Sequence, residues 1–376
     1  MTRVALLAAS LWLLGCGSGG ALAPPSPDTR GVEPAVARAL DRARAAVLAH
    51  PADASAWGEL GLSCDAHGFR TEARIAYARA GELDPGEFLW PYLGSWCAAE
   101  GDLGSALALA ERARELSPGD PWVELWRGEI LSESGARERA HEAFEAALAL
   151  DPANVDARVG LAEIELSKGE LGRARSRLEE ALVRAPDERR ILVLLARALS
   201  GSGDAEGARR LGERALVLGD PAPRLDPHRA LVEARGASAL HLASRGQAHL
   251  RKGEVELAIA DFEAALAARP DLAPVRIELG QTLVLAGRPE EGLRLLREAR
   301  ERNPGDLAAA RSLAAALAAT GELEASADLC RIVLERLPAD RELRANYARI
   351  LRRLGREEEA LEEERRLSGS LPDPVR

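Results

Sequence analysis

The sequence predicts an all-α fold, a solenoid of helix-turn-helix units stacked side by side. Three observations carry that prediction. Prolines recur at a fixed interval: Pro118, Pro152 and Pro186 are spaced by 34 residues, as are Pro270, Pro304, Pro338 and Pro372, and Pro85 precedes the first run by 33. Between them, small and apolar residues recur three and four apart, the spacing that gathers side chains on one face of a helix. Hydrophobic residues make up 47% of the chain but aromatics only 3%, so alanine and leucine must build the core, which favours close-packed helices over a sheet. An array lengthens its core with each unit, so 376 residues do not require two or three separate globular domains.

The unit is clearest from Trp57 to Pro85. Trp57, Leu60, Gly61 and Cys64 form one helical stripe, and Ala73, Tyr77 and Ala80 form a second. Gly61 and Ala73 are small enough for two helix backbones to approach where they cross. Gly68, between the stripes, suits a turn that needs positive φ. Pro85 stops the second helix. One such pair cannot bury both of its apolar faces, so neighbouring copies must stack. The pattern resembles the tetratricopeptide repeat, departing only at Cys64, where a Tyr is usual. The resemblance implies a right-handed superhelical solenoid whose concave face, lined by the first helix of each unit, binds other proteins.

Taken in order, residues 1–15 read as a lipoprotein signal peptide: Arg3 precedes an apolar run from Val4 to Leu14 that is too short to span a bilayer. Leu13-Leu14-Gly15-Cys16 resembles a bacterial lipobox, which implies lipid on Cys16. Gly17 stands where an Asp would retain a lipoprotein at the inner membrane, so the resemblance implies the periplasmic face of the outer membrane in an organism that has one. Residues 16–31 form a Gly, Ser and Pro tether with a reach on the order of 50 Å. Residues 32–222 hold an N-terminal half-repeat and units one to five. The half-repeat helix runs from Val32 to His50, with Ala39, Ala43 and Ala46 spaced like a packing stripe. Residues 223–238 break the register, as a short extra helix at Pro227–Arg235 or as an extension of the next helix. Residues 239–376 hold units six to nine, and the last helix, with Glu364 in the aromatic position, reads as a charged cap.

The net charge of −10, with both signs interspersed, argues against nucleic acid as a partner. Cys64 and Cys97 occupy equivalent positions in adjacent units, too far apart for a disulfide, and read as buried free thiols. No histidine stands in metal-ligand spacing, and neither a phosphate loop nor a nucleophile elbow is present. The chain reads as no enzyme, with no cofactor and no metal.

The resemblance places a partner-binding groove on the second, fifth, ninth, twelfth and thirteenth positions of the first helices. Those positions offer Phe88, Trp122, Leu125, Glu129, Glu133 and Glu163, then Arg190, Arg197, Arg311, Arg349, Arg352 and Arg353. The groove would run from aromatic and acidic to basic. Trp122 and Trp126, off the pattern, are either partner anchors or packed against the preceding unit. In the second helix of unit two, Ala110 is part of the stripe, and Gly94 is expected to mark a tight helix crossing. The expected function is an envelope-anchored scaffold for other envelope proteins, assisting assembly of an exopolysaccharide-export or secretin and pilus machine. The alternative is a regulatory lipoprotein that activates a peptidoglycan-synthesis enzyme.

Overall fold

The computed structural model describes residues 23–218 and 226–368, and among them every regular element is a helix. Residues 1–22, where the expected signal peptide and Cys16 fall, residues 219–225 and the last eight residues lie outside the described residues. Helix α1 (Pro34–Ala49) precedes five helix pairs: α2 (Ala54–Ala66) with α3 (Arg70–Leu83), α4 (Leu89–Ala99) with α5 (Leu103–Leu116), α6 (Pro121–Glu133) with α7 (Arg137–Leu150), α8 (Val155–Lys168) with α9 (Leu171–Arg184), and α10 (Arg189–Gly201) with α11 (Ala205–Val217). The odd element is α12 (Pro227–Glu233). Four more pairs follow: α13 (Ala239–Lys252) with α14 (Val255–Ala268), α15 (Ala273–Leu285) with α16 (Pro289–Arg302), α17 (Leu307–Thr320) with α18 (Leu323–Arg336), and α19 (Arg341–Arg353) with α20 (Glu357–Leu367).

The chain divides into two compact units. One holds Arg38–Arg235 and the other Gly236–Arg376 with Gly31–Ala37. The insertion helix α12 therefore groups with repeats one to five, because it packs on α2 and α4.

Local chemistry explains why each pair forms. The turn between the two helices places a glycine at positive φ in most repeats, from Gly68 at +81° to Gly355 at +77°. Side chains of Asp53, Asp120, Asn154, Asp306 and Asp340 cap the first helices by accepting from backbone N–H groups in the first turn. The fourth residue of the first helix adds a tie that the sequence did not suggest. Trp57 donates its indole N–H to the Pro51 carbonyl, six residues back, at 2.9 Å. Arg344 reaches Pro338 O in the same way at 2.5 Å, and Arg158 and Arg276 reach Pro152 and Pro270. A long side chain ending in N–H is what the position needs, so Trp and Arg interchange there.

Packing inside the pairs turns on glycine. The Phe144 ring is held between Gly128 and Gly160: a Cβ on either would come within 2.6 Å of it. Gly61 meets Tyr77 and Gly246 meets Phe262 similarly.

Two sequence-based expectations need correction. A Cβ on Gly94 would find only ordinary contacts, at 3.7 Å to Leu109 and 3.8 Å to Tyr77. Repeat two has Ala110 where its neighbours have an aromatic ring, and Gly94 borders a crevice of ≈ 290 Å³ lined also by Tyr77, Trp90 and Leu109. Gly94→Ala should therefore be neutral or stabilising by up to about 1 kcal/mol through helix propensity, read as a rise in urea midpoint. In α1 the buried face is Val36, Leu40 and Val47, while Ala46 is exposed. The larger apolar side chains turn inward because they remove more surface from water than alanine does.

Candidate functional site

In the first unit, the groove lined by α2, α4 and α6 contains α12. Asp226 caps α12 by accepting from the His228 N–H at 2.7 Å, and its other oxygen accepts from the Tyr92 hydroxyl at 2.5 Å. His228 Nε2 lies 2.7 Å from Asp120 Oδ2, and its ring meets Phe88 and Tyr92 edge-on at 5.1 and 5.3 Å between centroids. Arg229 donates to Asp65 at 2.5 Å and lies over the Trp96 ring at 5.2 Å. Trp96 is itself stacked on Trp126, with centroids 3.6 Å apart and planes 7° from parallel. Trp126 is fixed by donating to Ser95 Oγ at 2.7 Å. Arg235 closes the set with two hydrogen bonds to Glu59, at 2.6 and 2.7 Å. Val232 is the one hydrophobic side chain of α12 that is fully buried.

The electrostatics follow from these contacts. The hydrogen bond to Asp120 holds the His228 imidazole above its ordinary pKa, against the opposing effect of burial. Burial alone would raise the Asp120 carboxyl, but the hydrogen bond and charge of His228, with the Trp122 and Val123 N–H groups, together hold it below its usual range. Burial, then the Asp226 carboxylate, push the Tyr92 hydroxyl well up, so it stays a donor.

The expected groove residues are met unevenly. Phe88 touches α12 through His228. Leu125 is corrected: it belongs to the core of repeat three beside Phe144, so it is not a groove contact. Trp122 packs half-buried against that core, and Trp126 packs on the preceding repeat through Trp96. Glu129, Glu133, Glu163 and Arg190 are brought together around one polar cavity with Asp156. Arg190 pairs there with Glu163 at 2.9 Å, and Arg197 is exposed.

Glu129 keeps part of its side-chain surface in solvent, yet its carboxyl stands inside this cavity, where desolvation and then Asp156 push it up to about 7 against the pull of Arg190. The folded chain thus keeps a proton that the unfolded chain releases near 4.5, and stability should fall as pH rises from about 4.5 to about 7. Glu129→Gln should raise the melting temperature at pH 8 and leave it nearly unchanged at pH 4, as followed by circular dichroism. An equal effect at both pH values would contradict this.

In the second unit, Arg311 pairs with Glu342 at 2.5 Å and Asp340 at 3.2 Å. Arg352 pairs with Glu364 at 2.9 Å and Glu357 at 3.4 Å, so the following helix answers part of the basic cluster. Arg349 donates to the Asn346 side chain and Arg353 to the Ala318 carbonyl. An apolar crevice of ≈ 400 Å³ opens between Leu250, Val284, Leu285 and Ala319.

Cys64, Cys97 and Cys330 are buried free thiols. Burial pushes the Cys64 thiol up to about 12 and Cys330 to about 11, so neither is a ready nucleophile. Among the described residues no group of three His, Cys, Asp or Glu side chains could hold a metal ion, and no helix is long and apolar enough to cross a membrane.

Sequence reasoning missed Glu59, Asp65, Tyr92, Trp96 and Asp120 on the groove side, and the role of Asp226, His228, Arg229 and Arg235. Asp65 did leave a signal: it is the lone carboxylate in the apolar second half of α2. The contacts of α12 left none, since their partners lie 108 to 176 residues away in the chain.

Family models described as Tetratricopeptide repeat match residues 131–190, 249–317 and 165–223. No curated protein matches the chain. Among solved structures it is similar to a tetratricopeptide repeat protein from Parabacteroides merdae at 19% identity, covering 66% of this chain and 92% of that one with a TM-score of 0.44. It is similar to Pseudomonas aeruginosa pilF at 15% identity, covering 72% and 96%, TM-score 0.41. It is also similar to MamA from Desulfovibrio magneticus at 18% identity, covering 43% and 93%, TM-score 0.41. Nine helix pairs stand among the described residues and the repeat models match in both compact units, so the chain is built of tetratricopeptide repeats, which indicate a scaffold for binding other proteins.

Proposed function

We propose that this array is a lipid-anchored, non-enzymatic scaffold at the bacterial cell envelope, which helps assemble an envelope complex of the exopolysaccharide-export or secretin and pilus kind. The observation that carries the binding role is the groove of repeats one to three, which is already shaped around a short helix through side chains from three repeats. Its charged groups are held in ion pairs with that helix, an arrangement suited to recognition. The anchor rests on Leu13-Leu14-Gly15-Cys16, and Gly17 favours the periplasmic face of the outer membrane. Several acyl chains on one cysteine suffice for stable attachment.

Cys16→Ala should move the protein from the membrane to the soluble fraction; retention would remove the anchor from the proposal. Crosslinking in the intact envelope followed by mass spectrometry should recover proteins of one envelope machine. Recovery of the chain alone would overturn the scaffold role.

A further inference from the structure

We infer that the groove of repeats one to three is a receptor for a short cationic helix of a partner protein, and that Asp226–Arg235 occupies it as a competing ligand in cis. The inference rests on the scaffold reading and names the chemistry of one of its partners. Three groove carboxylates, Glu59, Asp65 and Asp120, each face one basic side chain of the inserted segment: Arg235, Arg229 and His228. The Trp96–Trp126 stack supplies an aromatic platform under Arg229. Such a surface selects histidine and arginine on a short helix by charge, by bidentate hydrogen bonding and by cation–π contact.

Two features separate this segment from the repeats themselves. First, it lies outside the 34-residue register, whereas the core ring Tyr77 packs within its own pair against Gly61 and on the next repeat against Trp90. Second, its attachment is mainly polar. Only one hydrophobic residue of α12, Val232, is fully buried, and Arg235 and Glu59 remain 38% and 46% exposed. An interface of that composition resembles those that exchange rather than a domain core. Tethering in the same chain gives the segment a high effective concentration, so a partner helix of like chemistry binds with an apparent affinity reduced by the fraction of grooves left open.

The test uses the full chain and a fluorescent peptide with the sequence of Asp226–Arg235. The triple variant His228→Ala, Arg229→Ala, Arg235→Ala empties the groove of its basic contacts. The peptide should bind it about tenfold or more tighter than it binds the wild type, as expected if over nine-tenths of wild-type grooves are occupied. Adding Glu59→Gln and Asp65→Asn to the triple variant should abolish that gain. A triple variant that keeps its helical circular dichroism and binds the peptide no tighter than wild type overturns the proposal. Loss of helical signal in the triple variant overturns it too, because the segment would then be part of the fold and not a ligand. Envelope crosslinks that map to other repeats would leave the scaffold reading standing while the peptide result fails.

Discussion

Phe144→Ala is expected to lower the unfolding free energy by about 3–5 kcal/mol, the range for truncating a buried phenylalanine. The ring is 2% exposed and fills a slot whose two walls are the bare backbones of Gly128 and Gly160. Those glycines belong to successive repeats, so one side chain ties α6, α7 and α8 together. Neither glycine has a side chain that could move into the vacated space, so the cavity collapses poorly and the cost should sit at the high end. Because each repeat touches only its neighbours, the loss should also weaken coupling across repeats three and four. Urea unfolding followed by circular dichroism would then show a lower midpoint with a broadened transition. A loss below about 1 kcal/mol would mean the slot relaxes around the change.

Gly292→Ala should destabilise the second unit by about 1–3 kcal/mol, as overpacking does. A Cβ there would lie 2.5 Å from the Gly280 carbonyl oxygen and 2.6 Å from a Val284 methyl. The first contact decides the outcome, because a helix carbonyl cannot rotate aside as a side chain can. The helices α15 and α16 would have to separate. The gain in helix propensity, about 1 kcal/mol, offsets only part of that cost. The contrast with Gly94→Ala is the sharper measurement: the same substitution in the same kind of repeat should have opposite sign. If both raise the denaturation midpoint, backbone approach does not limit the second unit.

The sequence by itself determined the repeat. Its prolines, turn glycines and small-residue stripes are local features recurring at one interval, and each acts within a pair or on the next pair. Helix pairing, the left-handed turn at Gly68 and the burial of Cys64 and Cys97 follow from neighbours a few tens of residues apart. The room at Gly94 was not legible: the glycine stripe led to the expectation of a tight crossing, and only the fold showed that Ala110, standing where neighbouring repeats carry a ring, leaves ordinary contacts there. The tertiary structure alone decided what occupies the groove. Asp226, His228, Arg229 and Arg235 sit off the repeat register, and their partners Tyr92, Asp120, Asp65 and Glu59 look like ordinary helix residues in sequence. Periodicity carries information about contacts that repeat. A contact made once, between an irregular segment and side chains more than a hundred residues away, has no period and becomes visible only when the chain is folded.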